Sequence, residues 1–345
     1  MTDIVTKAVD DPAAWRGDDL GARDDWILRL DRVQITELER ATDHAQKQDL
    51  DLFAIERSDF RLPTLGPVLA ALADPVDNGR GFVVLKGVPV AGVPENRARI
   101  TLWGIGRHVG VAEGQDGEGN LLHSVRDIGK AVRGTDNIRA YQTDAPIPFH
   151  NDGCDAFLLL CHRQAKNGGG SILCSAVQAF NEIAAERPDL ARVLQQDFHF
   201  DARGQRLDGA KVQTLPIFQF HQNRFFVLHK EGYIRTAQRF AETPRLTDLQ
   251  RQALRLLREV TDRLGMALTF DMQPGDLVVA NNHTLLHGRT DFEDHDDEDL
   301  KRHMLRLWVT LPSARALPPS YAGTREFGRT YARRMPGAKP YEQVG

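Results

Sequence analysis

Residues 148–171 read PFHNDGCDAFLLLCHRQAKNGGGS. The apolar run AFLLLC has the length of a buried strand. His150 and Asp152 stand two apart at its head, and three glycines and a serine close it. On extended backbone the side chains alternate between faces, so residues two apart point the same way. An imidazole and a carboxylate are thereby aimed at one point, as a strand edge offers two ligands to a cation. Gly153 permits a bulge or bend straight afterwards, a device common beside active sites. The pair also has a plain structural reading: a turn in which Asp152 accepts backbone N–H bonds while His150 sits at the surface.

The C-terminal half supplies what the pair lacks. His287 follows the strand-like DLVVANN and precedes Gly288, which places it at a strand end facing His150 across a barrel. His283, from the same stretch, is an alternative third ligand, or a histidine merely hydrogen-bonded near the strand end. Two histidines and a carboxylate form the facial triad of non-haem Fe(II) oxygenases. Further on, Arg302 and Arg306 lie four apart in KRHMLRLWV, on one face of a strand with Met304 and Trp308. Two inward arginines are costly unless paired. Either they form salt bridges to internal acids, or a guanidinium fork grips the carboxylate of a small dicarboxylate cosubstrate.

Around these segments β character dominates from about residue 138: IRAYQT, AFLLLCH, SILCSA, KVQTLPIFQF, RFFVLHK, ALTFDM, DLVVANN and HMLRLWVTL all read as strands, and QPGD (273–276) as a turn. Helical spacing predicts insertions at 176–196, capped by Ser175, and at 246–264. Upstream, helices are expected over Trp26–His44, over PTLGPVLAALADPVDNG and over ENRARITLWGIGRHVG with Gly110 as C-cap, with GFVVLKGVPV as a strand. Many short strands with helices packed outside imply an α+β, mainly β fold: a double-stranded β-helix (jelly roll) core with flanking helices. One domain is expected, with residues 1–25 irregular, a helical and strand portion over 26–135, the core over 138–312 and a tail over 313–345.

The 345 residues are 41% hydrophobic with a formal net charge of −4, so neither a nucleic-acid footprint nor a membrane partner is expected. The N-terminus has no apolar targeting core, and no run reaches the length of a membrane span, which points to the cytoplasm. The three cysteines lack metal-knuckle or disulfide-framework spacing; Cys154 reads as small apolar filling. For oligomeric state only the general frequency of homo-dimers speaks.

Four segments in order, FHNDGCD, AKNGGGS, LLHGRTDF and RHMLR, resemble the Fe(II)/2-oxoglutarate-dependent dioxygenases of the taurine dioxygenase (TauD/TfdA) family; GFVVLKGVPV and LWGIGRHVG extend the likeness over about 26–320. The resemblance implies a jelly-roll (cupin-like) fold and a reaction with Fe(II), 2-oxoglutarate and O2. It also selects His287 over His283: His150, Asp152 and His287 would hold iron. Arg302 would grip the far carboxylate of 2-oxoglutarate, with Ser171 donating to it where relatives often carry threonine. Arg306 would contact an anionic substrate or assist the cosubstrate. The filled carboxylate position argues against halogenation. The expected reaction is hydroxylation of an unactivated C–H bond in a small carboxylate or amino-acid-like substrate, with release of succinate and CO2, and desaturation or another oxidation stays open. Asp155, Arg306, Gln142 and Asn151 are candidates to line the substrate pocket, each with a local hydrogen bond as its alternative. Two other classes stay open: a barrel using zinc, manganese or nickel for hydrolysis or isomerisation, and a non-catalytic binding protein of the same fold.

Overall fold

A computed structural model describes residues 4–129, 142–206, 208–312 and 315–334. Within them two mainly antiparallel sheets face each other. The larger has seven strands, ordered Ile27–Arg29, Phe82–Lys86, Leu277–Asn281, Ala156–Arg163, His303–Thr310 and Val111–Glu113, with Leu122–Val125 also on His303–Thr310. The smaller is ordered Ala267–Phe270, Ser171–Ser175, Leu285–Arg289, Ile147–His150. Helices cover both outer faces. This is an α+β architecture of four layers.

Strand alternation sorts the side chains between these layers. Along His303–Thr310, Leu305, Leu307 and Val309 join the core under helices Arg32–Lys47, Leu65–Ala71 and Glu95–Val109. Met304 and Trp308 point the other way, into a core shared with Leu173 and Leu285 of the smaller sheet. Each fully buried aliphatic contributes roughly 1.5–3 kcal/mol, so a register slip that exchanged the faces would be prohibitive. Gly106 shows how close the helical layer lies: a Cβ there would come 2.1 Å from Leu307 Cδ2. On the far side, helices Ala176–Glu186, Pro188–Val193 and Asp248–Thr261 enclose a third core with the smaller sheet. Ser175 and Thr247 cap two of them as their sequence position suggests.

Several expected elements are corrected. Residues 27–29 form a parallel strand against 84–86, and the helix begins only at Arg32, because Asp31 and Gln34 make a reciprocal capping box. KVQTLPIFQF is two strands, Val212–Pro216 and Phe218–His221, paired with different partners. Proline has no N–H to continue a ladder. Gly110 does cap Glu95–Val109 as expected, its N–H donating to the Gly106 carbonyl, but on extended backbone (φ −175°); a Cβ would sit 2.4 Å from the Thr310 carbonyl oxygen. Residues 1–25 include a helix, Gly17–Gly21, and the expected tail carries another, Gly328–Arg334. Most of IRAYQT (138–141) lies outside the described residues. No helix among the described residues is long and apolar enough to cross a membrane.

Candidate active site

The register of the smaller sheet creates the centre of the site. His287 is paired directly with His150 on the neighbouring strand, and the two rings lie 4.3 Å apart, centroid to centroid. His150 ends its strand. The chain then turns, and Asn282 Oδ1 accepts the Asp152 N–H at 2.8 Å, fixing the direction of the carboxylate. Ligand atoms of His150, Asp152 and His287 all fall within 4.8 Å of one another, and Asp152 Oδ2 is 3.7 Å from His287 Nε2. Gly153 matters here for packing: a Cβ would be 2.7 Å from Glu326 Cα, so the C-terminal segment presses directly on the turn.

The protonation states suit a cation. His150 Nδ1 faces the Pro148 carbonyl oxygen at 2.9 Å; as donor there it leaves Nε2 with its lone pair toward the centre. Burial pushes His150 down, and burial with the neighbouring His150 pushes His287 well down, which favours the neutral, metal-binding form of each imidazole. Burial would raise Asp152, but Arg306, then His287 and His150, outweigh it and hold the carboxyl well below the usual range. Its Oδ2 accepts from Arg306 Nη1 at 3.0 Å and from Trp308 Nε1 at 2.9 Å. Gln115 clamps Arg306 in turn: its Oε1 accepts from Arg306 Nε, and its Nε2 donates to the Arg306 carbonyl, both at 2.8 Å.

The three groups open onto a cavity of about 1040 Å³, enough for a cosubstrate together with a substrate. Ser171, Arg289 and Arg302 line it too. Arg302 is 3% exposed, makes no ion pair among the described residues and leaves Nη1 buried without a hydrogen-bond partner. Burial pushes it down to about 10. The glycines make room for it. Gly169 has φ +74°, and a Cβ there would stand 3.0 Å from Arg302 Nε. Ser171 is cross-strand partner to Arg289, and Arg289 and Arg302 flank the ring of Phe292. Leaving a guanidinium buried without an anion costs several kcal/mol; a carboxylate that takes both of its nitrogens recovers much of that.

Other expected positions fall elsewhere. Asp155 does not line the cavity: it accepts from His283 Nε2 at 2.9 Å, from the Leu311 N–H at 3.0 Å and from Arg334. His283 lies off the cavity as well and does not belong to the group of candidate ligands His150, Asp152 and His287. Asn151 is fully buried, donating to the Val227 and Asn282 carbonyls and accepting from the His229 N–H, so it holds the turn and not a substrate. Gln142 is not among the described residues lining the cavity; its carbonyl accepts from the Ile128 N–H. Arg306 lines the cavity, but its shortest charged contact is Asp152. Sequence reasoning missed Arg289, Gln115, Lys230 and Arg325. Arg289 had a signal, since it lies two residues beyond His287 on the same strand. Arg325 had none.

Two imidazoles and a carboxylate beside an open, water-accessible hollow are the donor set of a mononuclear non-haem metal centre. The family model "Taurine catabolism dioxygenase TauD, TfdA family" matches residues 44–308, and the chain belongs to that family. It is 28% identical to the FR-33289 synthase of Streptomyces rubellomurinus, covering 94% of this chain and 97% of that one. It is 27% identical to a taurine hydroxylase-like protein, SAT17, of Stachybotrys chartarum, covering 87% and 79%. Among solved structures, an asparagine oxygenase in complex with Fe(II), 2S,3S-3-hydroxyasparagine and succinate superposes with a TM-score of 0.65 at 19% identity, over 83% of this chain and 93% of that one. The non-heme iron oxygenase OrfP in complex with Fe and alpha-ketoglutaric acid gives 0.60 at 16%, over 82% and 94%. At these identities the structural likeness concerns the fold.

Proposed function

We propose that the protein is an Fe(II)- and 2-oxoglutarate-dependent oxygenase that hydroxylates an unactivated C–H bond of a small amino-acid-like or other carboxylate substrate, releasing succinate and CO2. One observation carries the reading: the His150, Asp152, His287 set and the buried, anion-seeking Arg302 open onto the same cavity. The facing sheets are read as a double-stranded β-helix with the site at one end. Family membership supports the same chemistry.

In this reading His150, Asp152 and His287 hold the iron. Arg302 takes the far carboxylate of 2-oxoglutarate, with Ser171 as a hydroxyl donor and Arg289 adding positive potential beside it. Arg306 and Trp308 orient the Asp152 carboxylate through Oδ2, which leaves Oδ1 as the less encumbered donor to the ion. When bound, Fe(II), 2-oxoglutarate and O2 together supply the oxidant. The apolar walls, Phe157 and Leu159 among them, keep water from the reacting carbon. A hydrolase or isomerase centre gives Arg302 nothing to bind. Three free, buried cysteines fit a reducing compartment, and we place the protein in the cytoplasm.

The test is succinate release together with the visible band of the Fe(II)–2-oxoglutarate complex under anaerobic conditions. Both are expected, both should need Fe(II), and both should vanish in His150→Ala and Asp152→Ala. Turnover supported by zinc in the absence of 2-oxoglutarate would sink the assignment.

A further inference from the structure

We infer that the protein grips an anionic group of its substrate with Lys230 and Arg325, on a cavity wall completed by the C-terminal segment. Both residues line the cavity, together with Tyr233. Their side chains are 10% and 5% exposed. One carboxylate serves both: Glu326, 1% exposed, lies 3.3 Å from Lys230 Nζ and 3.7 Å from Arg325 Nε. Two buried cations therefore share one buried anion, and a positive charge is left over.

Beyond Glu326, Arg325 meets the Tyr233 hydroxyl and, at longer range, Asp152, a carboxylate that already pairs with Arg306. Arg325 Nη1 is buried with no hydrogen-bond partner. Both cations lie over the Tyr233 ring, at 5.5 Å and 5.4 Å, and Arg203 stands over it at 5.9 Å. A cation–π contact contributes about 0.5–2 kcal/mol, less than the several kcal/mol that desolvating a charge costs. The nearby acid Glu231 is engaged by Arg258, and Asp201 by Arg239. A purely structural clamp on the C-terminal segment would need one cation for Glu326, not two.

This wall is separate from the cosubstrate side. Lys230 follows His229, whose backbone pairs with Asn151, and its charge is felt by His150 and Asp152. Arg302 instead feels Cys161 and Asp294, and acts on Arg289. A diacid held by Arg302 leaves Lys230 and Arg325 to a second anion next to the metal centre. The word "substrate" rests on the oxygenase reading; the anion site itself does not.

The experiment is calorimetric titration of the full chain, loaded with Fe(II) and 2-oxoglutarate under anaerobic conditions, with acetate, sulfate or inorganic phosphate. At least one should bind one-to-one, and the planar and tetrahedral probes identify which oxyanion fits. Arg325→Gln should weaken binding by roughly ten- to a hundredfold, the range of a lost charge-assisted contact, and Arg325→Lys should restore part of it. Glu326→Gln removes the competing charge and should tighten binding severalfold, a gain that misfolding does not mimic. The inference is overturned if none of the three anions binds, if Arg325→Gln leaves affinity unchanged, or if Arg302→Gln abolishes it instead. Absence of the visible band with anion binding intact would sink the oxygenase reading and keep the wall.

Discussion

Arg306 lies within the strand His303–Thr310 and Arg302 just before it, four residues apart, and the structure gives them opposite surroundings. Arg306 is held by Asp152 and Gln115 and stacks near Trp308. Arg302 is more deeply buried, makes no ion pair among the described residues and leaves Nη1 without a hydrogen-bond partner. Identical chemistry at two nearby positions thus divides into a buttress and a vacancy. The buttress holds a carboxylate in its charged form and fixes its direction. The vacancy stores an unmet electrostatic demand that a ligand can satisfy. What separates them is the partner sequence that each end of the strand meets: the Asp152 turn at one, the glycine turn at the other.

Three substitutions test that division. Arg302→Gln should raise the 2-oxoglutarate concentration needed for half-maximal succinate release by about ten- to a hundredfold, with much less change at saturation. Gly169→Ala, which crowds the same guanidinium, should give a weaker version. If cosubstrate affinity survives Arg302→Gln, the role passes to Arg306 or Arg289. Arg306→Met should do the reverse: the cosubstrate requirement stays, while Fe(II) affinity, measured against a competing chelator, falls by about tenfold or somewhat more. Equal effects of the two variants on both quantities would erase the distinction drawn here.

The smallest effect concerns the other face of the same strand. His303 is fully buried toward the helical layer, and burial holds its imidazole down at about 4. That lies below the value of about 6.5 in an unfolded chain. Between these values the unfolded chain binds the extra proton, so stability is present above about 6.5 and is lost as pH falls through about 4. Urea midpoints of the metal-free protein should drop across this window, and His303→Asn should flatten the slope. An unchanged slope would remove His303 from the account.

Much of the site was legible because it depends on short-range periodicity. His150 and Asp152 two apart, Arg302 and Arg306 four apart with Trp308 beyond, and the glycines before Ser171 all lie close together along the chain, although Asp152 reaches the site by the turn after its strand and not by the strand repeat. Asn151 and Asp155 were misjudged for a related reason. Both lie in the turn after His150, where their polar groups meet backbone amides, carbonyls and His283. The helix predicted from Trp26 failed because a four-residue capping box, Asp31 to Gln34, outweighed apolar spacing that two kinds of element share.

The sequence by itself determined the residue types of the candidate site, their spacing along the chain and the family, since these are properties of local chain geometry and of residue chemistry. Only the tertiary structure decided that His287 lies beside His150, that Arg306 serves Asp152 while Arg302 waits for an anion, and that residues 315–334 close the cavity with Arg325. Those outcomes depend on strand register and on contacts between segments more than a hundred residues apart, where the free energy of packing the whole core, not any local preference, selects the neighbours.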